Sequence, residues 1–293
     1  MVFARPKSAD FADLRAVSTD ELQALVDKSP QIGARLVESA AHYGLLTAQM
    51  AWARMLLHGQ GAPMDQEAAC HWFSVAAESG DAEAINMVGR CYELGWGVPA
   101  NPRYAESHYR QAARKNYAWA QYNLGQLLLS GEPTPAKRRE GLGWHLLAAK
   151  AGHAKSMNVV GRFCEEGWDM PKSVDNALGW FRKSAEAGDS WGQFNLGRVL
   201  AGDGDIEQAL LWLRRAIEGG GEAFVAGIMP SLTQHPDPAI RALGPETAAR
   251  RERARRQAAA AALPSPHAPS APRAQSRFRF GRIFSSPARA VVR

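Results

Sequence analysis

The chain has 293 residues, 46% of them hydrophobic, enough to bury a sizeable core in one elongated domain or two compact ones. Its net charge of +6 is split unevenly, with 23 Lys and Arg against 27 Asp and Glu in residues 1–238 and 12 Arg against 2 Glu in residues 239–293. Three cysteines, Cys70, Cys91 and Cys164, without a CxxC, argue against a disulfide framework or a multi-cysteine zinc site, and no apolar run approaches the ~18 residues of a membrane span.

Residues 1–18 read as a flexible N-terminus. The opening MVFARPKSADFADLR lacks the apolar stretch that a secretory signal needs, so a cytoplasmic protein is expected. Residues 19–43 read as an atypical helix hairpin, because Ala40 and Ala41 keep the register of a second helix ahead of Gly44.

From Gly44 to Gly220 the sequence repeats with a step of 36. Gly44, Gly80, Asn116, Gly152 and Gly188 form one column. Ala48, Ala84, Ala120, Ser156 and Gly192 form a second, and Ala53, Gly89, Gly125, Gly161 and Gly197 a third. Pro63, Pro99, Pro135 and Pro171 keep the same step, as do Trp72, His108, Trp144 and Trp180, followed by Phe73, Tyr109, His145 and Phe181. Each unit holds two segments of helical periodicity, about 13 residues each, joined by a Gly/Pro-rich loop. Asp65, Asn101 and Ser173 are N-caps for the second segment, with Pro102 in a first turn. Lys137 breaks this capping pattern and leaves the boundary in the third unit open.

A glycine inside a helix costs about 1 kcal/mol relative to alanine, so the small-residue column requires close approach of the paired helix and its rings. Gly95 and Gly97 fall in the turn, where positive φ is tolerated. The stretch GRCYELGWGVPANP therefore reads as a packing element rather than a phosphate cradle, which would appear once and follow a strand.

Those columns, with AQYNLGQLLLSG at 120–131 and ALGWFRKSAEAGD at 177–189, resemble the Sel1-like repeat (SLR), a relative of the tetratricopeptide repeat. Five units cover residues 44–220; in the fifth, LAGDGDIEQALLWLRRAIEGG has a shortened loop without proline. The resemblance implies an all-α fold, a right-handed solenoid of helix hairpins, with the first helices lining a concave surface. What is known of the family, scaffolding and signalling in bacteria and at eukaryotic membranes, implies a non-enzymatic adaptor. Some cysteine-rich members are associated with β-lactams; the paired cysteines they carry are missing here, so that activity is not carried over.

Register places Arg54, Arg90, Gln126, Arg162 and Arg198 in one column of that surface. One turn earlier stand Asn86, Tyr122 and Asn158, with Asn123 and Asn195 beside them and Trp119 and Trp191 on the same side. Guanidinium, carboxamide and aromatic groups together suit a protein partner's acidic segment or C-terminal carboxylate. The structural alternative is that the arginines make ion pairs on a solvated face and Tyr122 belongs to the repeat packing. No catalytic residue, metal site, cofactor or small-molecule substrate is expected: HExxH and Cys/His ligand spacings are missing, and His108 and His145 stand in aromatic packing columns.

Residues 221–238 read as a capping helix, 239–263 as a basic helix and 264–293 as a disordered Arg/Pro/Ser-rich tail. Near its end Arg277, Phe278, Arg279, Phe280, Arg282 and Phe284 interleave charge with rings. An anionic membrane, nucleic acid or plain solubilisation would each use such a segment.

Overall fold

The computed structural model describes residues 30–262. The expected N-terminal segment 1–18, the first part of the expected hairpin 19–43 and the expected arginine-phenylalanine tail lie outside them. Thirteen helices and no strand occur among the described residues, which makes the fold all-α. The chain divides into two units, with the boundary after Leu127.

The first unit contains α1 (Pro30–His42), α2 (Leu46–His58), α3 (Gln66–Ala77), α4 (Ala82–Leu94), α5 (Pro102–Arg114) and most of α6 (Ala118–Leu129). Each hairpin pairs a first helix with the next, and its core forms where the rings of one meet the small residues of the other. Phe73 and Tyr109 are fully buried. A Cβ on Gly89 would lie 2.7 Å from the Tyr109 ring, so glycine is the only residue that lets this ring seat. Burying a side chain of Phe size is worth roughly 2–3 kcal/mol, more than the intrinsic penalty of the helical glycine.

The turns arise from the same columns. Gly95 ends α4 at φ 71° while its N–H donates to the Cys91 carbonyl, and Gly97, at φ 69°, presses on the backbone of Gln66 and Glu67 at the start of α3. Asn116 replaces glycine in its column and still takes φ 60°, as an asparagine tolerates better than most side chains. Asp65 accepts from the Ala68 N–H, and Asn101 accepts from the Arg103 and Tyr104 N–H groups, with Pro102 behind it in the first turn. Asp81 caps α4 in the same way through the Ala84 N–H.

The second unit contains α7 (Pro135–Lys150), α8 (Ala154–Glu166), α9 (Val174–Glu186), α10 (Ser190–Gly202), α11 (Ile206–Gly219), α12 (Glu222–Thr233) and α13 (Pro238–Ala262). Phe181 and Leu213 fill the spaces opposite Gly161 and Gly197. The boundary that Lys137 left open is set by Thr134, whose hydroxyl accepts from the Lys137 N–H; Pro135 opens the helix, one turn earlier than its counterparts. Ser173 caps α9 through the Asn176 N–H, and Asp205 caps α11 through the Gln208 N–H. From Ser173 to Asp205 the cap-to-cap step is 32 rather than 36, yet Phe181 and Leu213 each lie eight residues after their cap. The fifth unit has therefore lost loop and kept packing. Val225, Ile228 and Leu232 of α12 and Ile240 and Leu243 of α13 are buried, and all but Val225 share one cluster with Leu213 and Ala216.

Candidate partner-binding face

In the first unit the candidate residues lie on the first helices of the hairpins. Asn86 on α4 is buried and accepts a hydrogen bond from the Asn123 Nδ2 on α6 at 2.9 Å. Arg90, one turn after Asn86, lies over the Trp96 ring at 4.7 Å, a ring supplied by the loop that ends α4. Its guanidinium has no carboxylate at ion-pair distance among the described residues. Arg54 on α2, by contrast, binds Glu83 at 2.5 Å. Tyr117 lies near Glu83, Arg54, Asp81 and Arg90; burial first, then the Glu83 carboxylate, pushes its phenol upward. Trp119 is 43% exposed and meets Tyr122 edge-on at 6.3 Å, and the Gln126 amide donates to the Tyr122 hydroxyl at 3.4 Å.

In the second unit Asn195 on α10 donates to Asn158 on α8 at 2.7 Å, and both are buried. Arg162 lies over Trp168 at 5.9 Å and again has no carboxylate partner among the described residues. Trp168 is 44% exposed. Arg198 grips both oxygens of Glu165 at 2.7 Å. Trp191, 47% exposed, meets Phe194 edge-on at 6.1 Å and Phe224 at 4.8 Å. Charge on these faces thus separates into arginines already held by glutamate, Arg54 and Arg198, and arginines held by tryptophan, Arg90 and Arg162.

Sequence columns did not single out Trp96 and Trp168, although both occupy the same loop position, two residues before Val98 and Met170 respectively. A second arrangement also escaped them. Ser156 is buried between two histidine rings, with His145 Nδ1 at 3.2 Å and His153 Nδ1 at 3.0 Å from its hydroxyl. Burial pushes each imidazole down to about 4. The signal was legible as paired exceptions, a serine in the Ala/Gly column and a histidine in the ring column. Full burial of Ser156 and His145 closes this trio to substrate, so it is a piece of core.

Among the described residues no group of His, Cys, Asp and Glu is placed to hold a metal ion. The thiols are buried; the hydrogen bond between Cys70 and Cys91 lowers Cys70 and raises Cys91, which burial raises further, and burial raises Cys164. Among the described residues no helix is long and apolar enough to cross a membrane.

Tandem helix hairpins joined through Gly/Pro loops, carrying exposed rings and cations on their first helices, define an α-helical repeat protein of the interaction-scaffold class. The chain belongs to the Sel1 repeat family: the family model matches residues 46–81, 82–117, 120–153, 154–189 and 192–221, more than half of the sequence. Proteins of this family bind protein partners and are generally non-catalytic scaffolds. The structure is similar to that of a Sel1 repeat protein from Oxalobacter formigenes, with TM-score 0.67 and 22% identity over 80% of this chain and 99% of that one. It is also similar to a protective antigen of uropathogenic Escherichia coli strains that displays an SLR fold, with TM-score 0.62 and 22% identity over 82% of this chain. The chain spans about half of that antigen's length, 55%. A comparison with curated proteins finds no match.

Proposed function

We propose that this protein is a non-enzymatic adaptor that holds an acidic segment, or the C-terminal carboxylate, of a protein partner on the first-helix faces of its hairpins. The observation that carries the reading is the pair Arg90 and Arg162, each lying over a tryptophan ring rather than bound to a carboxylate. A guanidinium seated on a ring is oriented while its donors remain open to an incoming carboxylate. Trp119 and Trp191, nearly half exposed, add apolar contact area at small entropic cost. Like charge disfavours a basic occupant such as residues 239–293, which carry 12 Arg against 2 Glu.

Indole N–H resonances provide the test. A ten-residue peptide of Glu and Asp with one central Leu is titrated into the full chain; the indoles of Trp96, Trp119, Trp168 and Trp191 shift, while that of Trp52, buried in the core, stays. Shifts confined to other tryptophans, or none, refute the reading.

The arginine-rich tail favours a second reading, attachment to an anionic membrane or nucleic acid through Arg277, Phe278, Arg279, Phe280, Arg282 and Phe284. Loss of binding to anionic vesicles or to DNA on removal of residues 264–293, with retained peptide binding, separates the two.

A further inference from the structure

The residues of the candidate face recur with a step of 72, two repeats, rather than 36. Arg90 over Trp96 becomes Arg162 over Trp168. The Asn86–Asn123 hydrogen bond becomes Asn158–Asn195, each spanning 37 residues of sequence. Trp119 edge-on to Tyr122 becomes Trp191 edge-on to Phe194, with centroid separations of 6.3 and 6.1 Å. The odd repeats lack the Arg–Trp pair: Arg54 faces Glu83, and Gln126 and Arg198 bind Tyr122 and Glu165.

We infer that the chain carries two equivalent binding stations, one in each unit, and takes two copies of the same acidic peptide segment. This rests on the reading proposed above and adds to it the number and composition of the sites. Each station is complete within its own unit, with a cation on a ring, a carboxamide pair that fixes the spacing of two neighbouring first helices (buried on both sides in the second station, with Asn123 half-buried in the first), and an exposed tryptophan one repeat further on. The carboxamide pair matters because buried polar groups satisfied by one another set a single register between helices. Arg90 and Arg162 supply the charge complementarity for a carboxylate, and Trp119 and Trp191 the seat for an adjacent apolar side chain. Equivalence extends to how each station disposes of its glutamate. In the first, Glu93 accepts from the Tyr109 hydroxyl at 2.5 Å; in the second, Phe181 has no hydroxyl and Glu165 binds Arg198 instead. In both, the glutamate on the same helix as the ring-bound arginine is diverted from it.

Isothermal titration of the full chain with the same Glu/Asp peptide reads the stoichiometry. Two peptides per chain are expected. R90A and R162A each leave one, and the double variant leaves none, with unfolding midpoints unchanged. One peptide per wild-type chain, or a single variant that removes both copies or neither, overturns the duplication while leaving the adaptor reading intact. No heat and no indole shift for the wild type overturns both.

Discussion

The hydroxyl of Ser184 occupies the space that a side chain on Gly192 would need: a Cβ there would overlap the Ser184 Oγ and meet its Cβ at 2.5 Å. In the equivalent places of the first two repeats both partners are alanine, Ala76 with Ala84 and Ala112 with Ala120. Size has been exchanged across the helix pair, and Ser184 uses the room to donate to the Ala154 carbonyl at 2.8 Å. Gly192→Ala should therefore lower stability by about 1–3 kcal/mol through overpacking. Gly192→Ala with Ser184→Ala should recover most of it. Urea denaturation of the four proteins measures the coupling; additive losses would show that the two positions do not share this space.

The glutamate partners make a second cycle. Tyr109→Phe removes the hydroxyl that Glu93 accepts from and should cost about 1.5–3 kcal/mol, the range for a hydrogen bond to a charged group. Adding Gln126→Arg recreates the arrangement of Arg198 with Glu165 and should restore about 0.5 kcal/mol, as exposed ion pairs do. A double variant no more stable than Tyr109→Phe, by thermal unfolding, would mean that position 126 does not reach Glu93.

Acid should act through the histidine pair. His145 and His153 have folded values near 4, below the unfolded value of about 6.5, so the unfolded chain binds the extra protons between these limits. Their contribution is fully present above pH 6.5 and is lost as pH falls toward 4, at up to about 1.4 kcal/mol per pH unit for each ring. His145→Phe with Ser156→Ala, which restores the ring and alanine of the first two repeats' columns, should reduce the pH dependence of the midpoint between pH 6.5 and 4.5 and leave the share of His153. An unchanged slope would place the acid sensitivity elsewhere.

Truncation separates core from tail. Removing residues 264–293 should leave the unfolding midpoint where it is, whereas removing 239–293 takes away Ile240 and Leu243, both buried against α11 and α12, and should cost several kcal/mol. Equal midpoints for the two truncations would contradict the packing of α13.

Much of the scaffold was legible because each column carries one physical demand. A glycine column that admits Asn116 is a positive-φ column; a ring column that admits His145 is a core column. The third repeat's cap was hidden because Thr134 stands outside the expected position, and the helix simply began earlier. The face was legible only in part. Columns read one at a time place Asn86 and Asn123 separately, and their hydrogen bond joins different columns of different repeats. Which arginines meet glutamate and which meet tryptophan depends on loop geometry at Trp96 and Trp168, which no helical period records.

The central claim is that charge on the first-helix faces chooses the partner, and a charge exchange tests it most directly. Fluorescence anisotropy compares the labelled Glu/Asp peptide with its Lys counterpart on the wild type and on Arg90→Glu with Arg162→Glu. Preference for the acidic peptide in the wild type and for the basic peptide in the variant is the predicted result. Equal binding of the acidic peptide by both proteins would contradict the account.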